Sequence, residues 1–549
     1  MVQANEKSVC ELLADSLVAH DVSHLFGLIG DANLFMVDAF IRTGKGKYVA
    51  CNHEASSVLA AIGYAQVSGK TGVATITHGP ALTNVMTALV EGVKGCIPLV
   101  VLCGDTPPND LEHLQSVDQR EFIKATGAGF VEMRNPETAM QDLARAFRLA
   151  AVERKPVVFN ARVDLQWEKA PATKPPVMPT LSIRAVVPEG DMFDEAVGMI
   201  ASARRPLILA GRGAVEPEAK AALLDLARRL EAPVATTLKA SGLFHGEPFN
   251  LGVFGTLSNP VTAETIIQSD CIVAFGASLS WLTTVSGAYL KGKRVVQILG
   301  DMQENSRRTE PGVALVGDPA LTARRIIEVL DEAEIPPSQA TDEDLRKRLE
   351  QQAEEFATLP SLPATTPGTV DLLTTLRHLE TAIPKDRVLV TDLGRFIHST
   401  WKVFTVTRPE NFVYTAHYAS IGLGLGEAIG AATAGEDRTT LLIAGDGGFM
   451  MGGLVELSTA IRENLDLVVI VCNDASYGAE HIQFLRRSMD PTTSLLFTPD
   501  FAAVARAMGA AGVRVSDNSD VPAALDAIKN RQGPVLIELL LDPHNVPSN

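Results

Sequence analysis

The stretch LLIAGDGGFMMGGLVELSTAIRENLDLVVIVCNDASYG, residues 441–478, reads as strand, glycine turn, helix, strand. Both apolar runs are continuous rather than alternating, as in strands covered on both faces. The segment between them is long enough to cross back over a sheet, so the two strands run parallel. Gly445, Gly447 and Gly448 let the backbone turn tightly and bring N–H groups to a bound anion. The helix that follows aims its positive end at the same spot. Asp446 closes the first strand, and Asn473 closes the second, 27 residues later. Neighbouring parallel strands place both at one sheet edge, where a carboxylate and an amide oxygen suit Mg²⁺. A lone Gly-Asp-Gly is a common acidic turn; the pair at this spacing carries more.

The same alternation extends outward. Upstream, HLFGLIG, KYVACN, TGVATIT, IPLVVLCG and KPVVFNAR read as strands; then PLILAG, APVATT, CIVAFGA and RVVQILG; then RVLVTDLG, TTLLIAGDG, DLVVIVCN and GPVLIELLL. Two polar, proline-bearing stretches, 167–180 and 333–368, read as linkers, the second with a charged helical middle. They divide the chain into residues 1–166, 181–335 and 366–549. The expected fold is α/β, with three doubly wound parallel-sheet domains. In such sheets ligands bind beyond the carboxyl ends of the strands.

Composition narrows the function. A net charge of −17 argues against nucleic acid or anionic membrane as partner. The six cysteines form no CxxC pair, and most sit in apolar runs, as buried reduced thiols of a reducing compartment do. The first residues show no basic patch ahead of an apolar core, and no apolar run reaches the ~18 residues of a membrane helix. A cytoplasmic protein is expected.

Further candidates follow strands in the first block. Glu54, in YVACNHEASSVLAAIGYAQ, opens a helix of small residues, either as a helix-terminal charge or as a placed acid. Asp31 lies in LFGLIGDANLF, His78 in TITHGPALTN and Gln115 in HLQSVDQREF. Their plainer readings are an Asx turn, a structural hydrogen bond and a surface side chain. Tyr477, Glu480 and His481 begin a helix after the second strand of the opening motif.

GDGG with Asn473 resembles the cofactor motif of thiamine-diphosphate (ThDP) enzymes, in particular the decarboxylase and acetohydroxyacid synthase group. The resemblance spans all three blocks. It implies that Asp446, Asn473 and the carbonyl of Ala475 bind Mg²⁺. NDASYG is one residue longer than some versions, so Ser476 is the alternative carbonyl. Gly448 stands where members often have serine and offers only its N–H. HEASSVLAAIGYA resembles the segment whose glutamate hydrogen-bonds the cofactor's aminopyrimidine, which assigns that role to Glu54. YASIGLGLGEAIGAA, residues 418–432, resembles the segment that bends the cofactor, with Ile421 as wedge and the Ala419 carbonyl on the pyrimidine amine. Gly426 and Glu427 depart from it, where proline and alanine are expected. TDLGRFIHSTW resembles a diphosphate-contacting turn, which adds Gly394 and Arg395, and Tyr477 joins the cofactor set.

The Gly-Asp-x-Asn run at Asp31 is similar to pyruvate and indolepyruvate decarboxylases. His78 stands where the synthases have serine and benzoylformate decarboxylase has a nearby histidine. Gln115 matches a glutamine of the synthases, and decarboxylases carry a glutamate near Glu480, with His481 beside it. The expected activity is cleavage of a carbon–carbon bond next to a carbonyl in a 2-oxo acid or diketone. Decarboxylation would be followed by protonation or by acyl transfer, the latter as in acetolactate synthase. A flavin oxidoreductase of the pyruvate oxidase kind is the alternative. DCIVAFGASLSWLTT lacks the Arg-x-Asp-Asp run of the synthases' middle domain, which argues against FAD. Loss of all chemistry is disfavoured by the presence of Glu54, Asp446 and Asn473. In this group two subunits share each site, which implies a homodimer at least and a homotetramer as the expected assembly.

Overall fold

Leu441–Ala444 and Val468–Val471 are fully buried, as continuous apolar runs require. They are central strands of the last of three six-stranded sheets in this computed structural model, which describes residues 6–177, 185–300, 312–435 and 437–545. The end of the first linker, 178–180, lies outside the described residues.

The first sheet holds β1 (His24–Gly27), β2 (Lys47–Ala50), β3 (Gly72–Ile76), β4 (Leu99–Asp105), β5 (Gly129–Glu132) and β6 (Pro156–Arg162), in the order β2-β1-β3-β4-β6-β5. Its paired strands are parallel. Residues alternate between two covered faces, with Phe26, Ala74 and Val101 on one and Leu25, Val73 and Val100 on the other.

The central sheet holds β7 (Pro206–Ala210), β8 (Val234–Thr236), β9 (Asn250–Val253), β10 (Cys271–Phe275), β11 (Arg294–Leu299) and β12 (Val313–Val316), in the order β9-β8-β7-β10-β11-β12. This is the doubly wound order in which the chain starts mid-sheet and reverses once. Its strands are parallel and covered on both faces.

The third sheet holds β13 (Val388–Thr391), β14 (Phe412–Tyr414), β15 (Thr440–Gly445), β16 (Leu467–Asn473), β17 (Ala511–Val515) and β18 (Val535–Leu540), in the order β14-β13-β15-β16-β18-β17. Strand for strand, this repeats the winding of the first sheet.

By compactness, Met1–Thr180, Ser361–Val403 and Val413–Asn549 form one unit, and Leu181–Pro360 with Phe404–Phe412 another. Within the first unit the outer sheets share one core through two helices, α1 (Glu54–Ser68) and α3 (Gly424–Ala434), with α2 (Met86–Gly95) between them in the chain. Both faces of α1 and α3 are buried, which their small residues permit. At Gly63 an added Cβ would overlap the Glu427 carbonyl, and at Gly430 the Ala60 carbonyl. Backbone meets backbone at this crossing, and only glycine fits. Gly426, the residue that departs from the expected proline, lies against Leu59 in the same seam.

Among the described residues no helix is long and apolar enough to cross a membrane. Five cysteines are buried free thiols, whereas Cys96 is exposed, because it caps the C-terminus of α2 in a left-handed conformation. The charged middle of the second linker is the helix Glu343–Ala357.

Candidate active site

The ladder between β15 and β16 ends with Gly445 opposite Cys472. Asp446 therefore does not close its strand; it opens a helical turn, Asp446–Gly448, that passes into a π-helical turn, Phe449–Gly453. Asn473 is the last residue of β16, so the two side chains leave neighbouring strands at the same level. The turn is walled closely. A Cβ on Gly447 would sit 2.9 Å from the Tyr477 ring, and one on Gly448 would sit 3.5 Å from the Ile421 Cβ and 3.1 Å from the Gly422 nitrogen. Gly445 and Gly394 both lie against the Phe396 ring. Residues 394–396, 421–422, 445–448 and 473–477 thus converge on one spot at the carboxyl end of the third sheet. Ala419 joins them at φ 60°, a left-handed backbone held by its surroundings.

Electrostatics single out Asp446. Oδ1 accepts from the Gly447 N–H at 2.8 Å, while Oδ2 is buried and has no hydrogen-bond partner among the described residues. Burial, then Asp474, pushes its carboxyl up to about 7, against the pull of the N–H groups of Gly447, Ser476 and Ala475. A buried carboxylate oxygen without a partner is expensive unless something cationic meets it. Asn473 stands beside it. Its Nδ2 donates to Glu538 Oε1 at 2.7 Å and to Thr498 Oγ1 at 3.1 Å, while its Oδ1 accepts from the Ala475 N–H at 3.1 Å and from the Thr498 hydroxyl at 3.3 Å. The Ala475 carbonyl accepts from the Leu496 N–H at 2.7 Å. Among the described residues no cluster of three or more His, Cys, Asp or Glu could hold a metal. One carboxylate, one amide oxygen and main-chain oxygens form a hard donor set, and this set with its glycine cradle fits Mg²⁺ and a diphosphate.

Other candidates fall differently. Arg395 is buried and donates to Asp474 at 2.9 Å and to the Pro543 carbonyl at 2.9 Å, so its guanidinium braces the 474–478 turn from behind. Glu480 and His481 separate: Glu480 is exposed, whereas His481 is buried with Nδ1 2.9 Å from Ser494 Oγ and its ring beside His544. Tyr477 is partly exposed at the mouth.

In the first domain Glu54 opens α1, and Oε2 accepts from Asn84 Nδ2 at 3.0 Å. Asp31 and His78 come together: Thr77 Oγ1 donates to Asp31 at 2.8 Å, and His78 Nδ1 lies 4.0 Å from Asp31. His78 is buried, Asp31 exposed. Burial lowers the His78 pKa and the Asp31 charge opposes that shift. The His113 ring stands edge-on to His78 at 5.1 Å, and Gln115, half-buried, packs its carbonyl against Gly79.

Three family models match in chain order: the thiamine pyrophosphate enzyme N-terminal TPP-binding domain over residues 7–123, the central domain over 193–326 and the C-terminal TPP-binding domain over 392–539. The chain belongs to the thiamine pyrophosphate enzyme family. This thiamine pyrophosphate enzyme is 29% identical to the acetolactate synthase isozyme 2 large subunit of Escherichia coli, over 96% of this chain and 94% of that protein. It is 27% identical to a sulfoacetaldehyde acetyltransferase of Castellaniella defragrans, over 97% and 93%, and 25% identical to a probable acetolactate synthase large subunit of Methanocaldococcus jannaschii, over 97% and 92%.

Several polar residues of the thiamine pyrophosphate enzyme escaped sequence reasoning: Asn84, Glu91, His113, Asp392, Glu456 and Glu538. Four are acids, all buried and all bonded to backbone or amide N–H groups of the loops above. Their signal was present, since an isolated acid in an apolar run, as in LVEGV or LIELLL, must find donors when buried.

Proposed function

We propose that this enzyme uses ThDP and Mg²⁺ to cleave the bond next to the carbonyl of a 2-oxo acid, releasing CO₂ and passing the acyl unit to a proton or to a second carbonyl. The observation that carries the reading is the unpartnered, buried Asp446 oxygen beside Asn473, over a glycine turn walled by Ile421. Bound there, ThDP would supply a nucleophilic carbon and a place for the electron pair left by CO₂.

The chain's own residues supply the rest. Asp446 and Asn473 hold the metal. Ser476 is favoured over Ala475 as the carbonyl ligand, because the Ala475 carbonyl is directed at Leu496. The Gly448 N–H would take a phosphate oxygen, while the Gly447 N–H steadies Asp446. Ile421 would set the bend, the Ala419 carbonyl would accept from the pyrimidine amine, and Glu54, contributed by a second subunit, would hold a proton at the pyrimidine ring. Asp31 and His78 hold and deliver a proton at the substrate carbon. Exposed Tyr418, Met450, Met451 and Val455 lie on the segments that form the site. Such a concentration of apolar surface supports a second subunit as its cover.

The likeness to acetolactate synthases and to a sulfoacetaldehyde acetyltransferase favours acyl transfer, while the His78–Asp31 pair favours protonation. The test is CO₂ release from a panel of 2-oxo acids, alone and with aldehyde or 2-oxo acid acceptors, with and without ThDP and Mg²⁺. CO₂ release that requires both supports the reading; none from any substrate contradicts it.

A further inference from the structure

The first and third sheets share one winding, and the chain uses the equivalence in a way that the cofactor reading leaves out. Glu91 lies on α2, between β3 and β4; Glu456 lies between β15 and β16, the corresponding place in the other domain. Both are fully buried. Glu91 Oε1 accepts from the His417 N–H at 2.8 Å and Oε2 from the Tyr418 N–H at 2.6 Å. Glu456 Oε1 accepts from the Asn52 and His53 N–H groups, each at 2.9 Å. Residues 417–418 follow β14 and precede Ala419 and Ile421; residues 52–53 follow β2 and precede Glu54. Each domain therefore sends one buried carboxyl group into the other, onto two successive N–H groups, directly ahead of the residues that the cofactor reading assigns to the aminopyrimidine.

We propose that Glu91 and Glu456 are reciprocal positioning residues. Glu91 sets the 417–421 loop that bends the cofactor and accepts from its amine, and Glu456 sets the backbone from which Glu54 reaches the pyrimidine. The inference rests on the ThDP reading. Neither group meets the reacting atoms, and each acts through a main-chain segment, which at 52–53 is also tied by the Asn52 side chain to the Val455 carbonyl and the Ser458 and Thr459 hydroxyls. The far end of the wedge loop is held separately, by Asp392 accepting from the Gly422 and Gly424 N–H groups at 3.1 and 3.3 Å. Losing Glu91 therefore frees one end of the loop. Two hydrogen bonds to one buried carboxyl group are enough to hold such a conformation.

The test uses two variants of the full-length enzyme: Glu91→Gln, in which a carboxamide keeps the shape and removes one of the two acceptors, and Glu456→Ala, which removes the one oxygen that accepts from both Asn52 and His53. Affinities of the apoprotein for ThDP and for inorganic pyrophosphate are measured at fixed Mg²⁺. Glu91→Gln is expected to weaken ThDP about tenfold and leave pyrophosphate unchanged, since the glycine turn and Asn473 are untouched. Glu456→Ala is expected to lower kcat about tenfold with KM unchanged, and to add nothing on a Glu54→Gln background, because it acts through Glu54. Unchanged ThDP affinity in Glu91→Gln, equal losses of ThDP and pyrophosphate, or additive effects of the Glu54 and Glu456 substitutions would overturn the proposal. Failure of the unsubstituted protein to bind either ligand would instead bring down the cofactor reading, and this inference with it.

Discussion

His78 is buried beside an exposed carboxylate, and this contrast sets its titration. Desolvation lowers its pKa, and the Asp31 charge partly restores it. Asp31→Asn removes the restoring charge, so the His78 ring, followed by NMR, is expected to titrate at lower pH; an unmoved or raised value would contradict the pairing. For stability the sign follows from the lowered folded-state pKa. The unfolded chain binds the proton more readily, so the contribution of His78 is present above about pH 6.5 and is lost as pH falls through and below that value. Turnover of His78→Ala should fall by about 10² or more while ThDP affinity stays the same; unchanged turnover would remove it from the chemistry. Asp446, Asn473, Ile421 and Glu54 stand out as candidates in the sequence because each ends or follows an apolar run and belongs to a motif. Glu91 and Glu456 do not, because their partners are main-chain groups more than 300 residues away in sequence. Arg395 was legible as part of the site, yet its Asp474 partner was not, since the sequence around it does not say which way a long side chain turns.

At the scale of elements, continuous apolar runs identified the interior strands. The missed strands of the three large sheets, β5, β9, β12, β14 and β17, all lie at sheet edges, and two more, Glu6–Ser8 and Lys169–Pro171, pair only with each other, the second inside the stretch read as a linker. An edge strand has one side without a neighbour and is partly wetted, so its apolar run breaks up, as in Ala511–Val515, where only Val515 is buried. The Gly63–Gly430 crossing was likewise unreadable, because glycine in a helix has no apolar signature. Gly430→Ala should destabilise the first unit by about 1–3 kcal/mol, since the new methyl overlaps the Ala60 carbonyl and neither helix backbone can yield. Thermal unfolding checks this, and an unchanged midpoint would show that the seam is looser than the structure draws it.

For the whole molecule, two domains with one winding divide the labour around one cofactor. On the proposed reading the third domain supplies the phosphate and metal cradle, and the first supplies Glu54, Asp31 and His78. If Glu54 reaches the cofactor of a partner, activity must depend on association. Light scattering should give a dimer or larger at assay concentrations, and specific activity should fall on dilution into monomer; a fully active monomer would contradict the shared site. Calorimetric titration of ThDP into exhaustively dialysed protein is the most direct test of the account. It predicts one ThDP per chain in the presence of Mg²⁺, little or none with chelator, and loss of binding in Asp446→Asn. No binding at any Mg²⁺ concentration, or undiminished binding in Asp446→Asn, would contradict it.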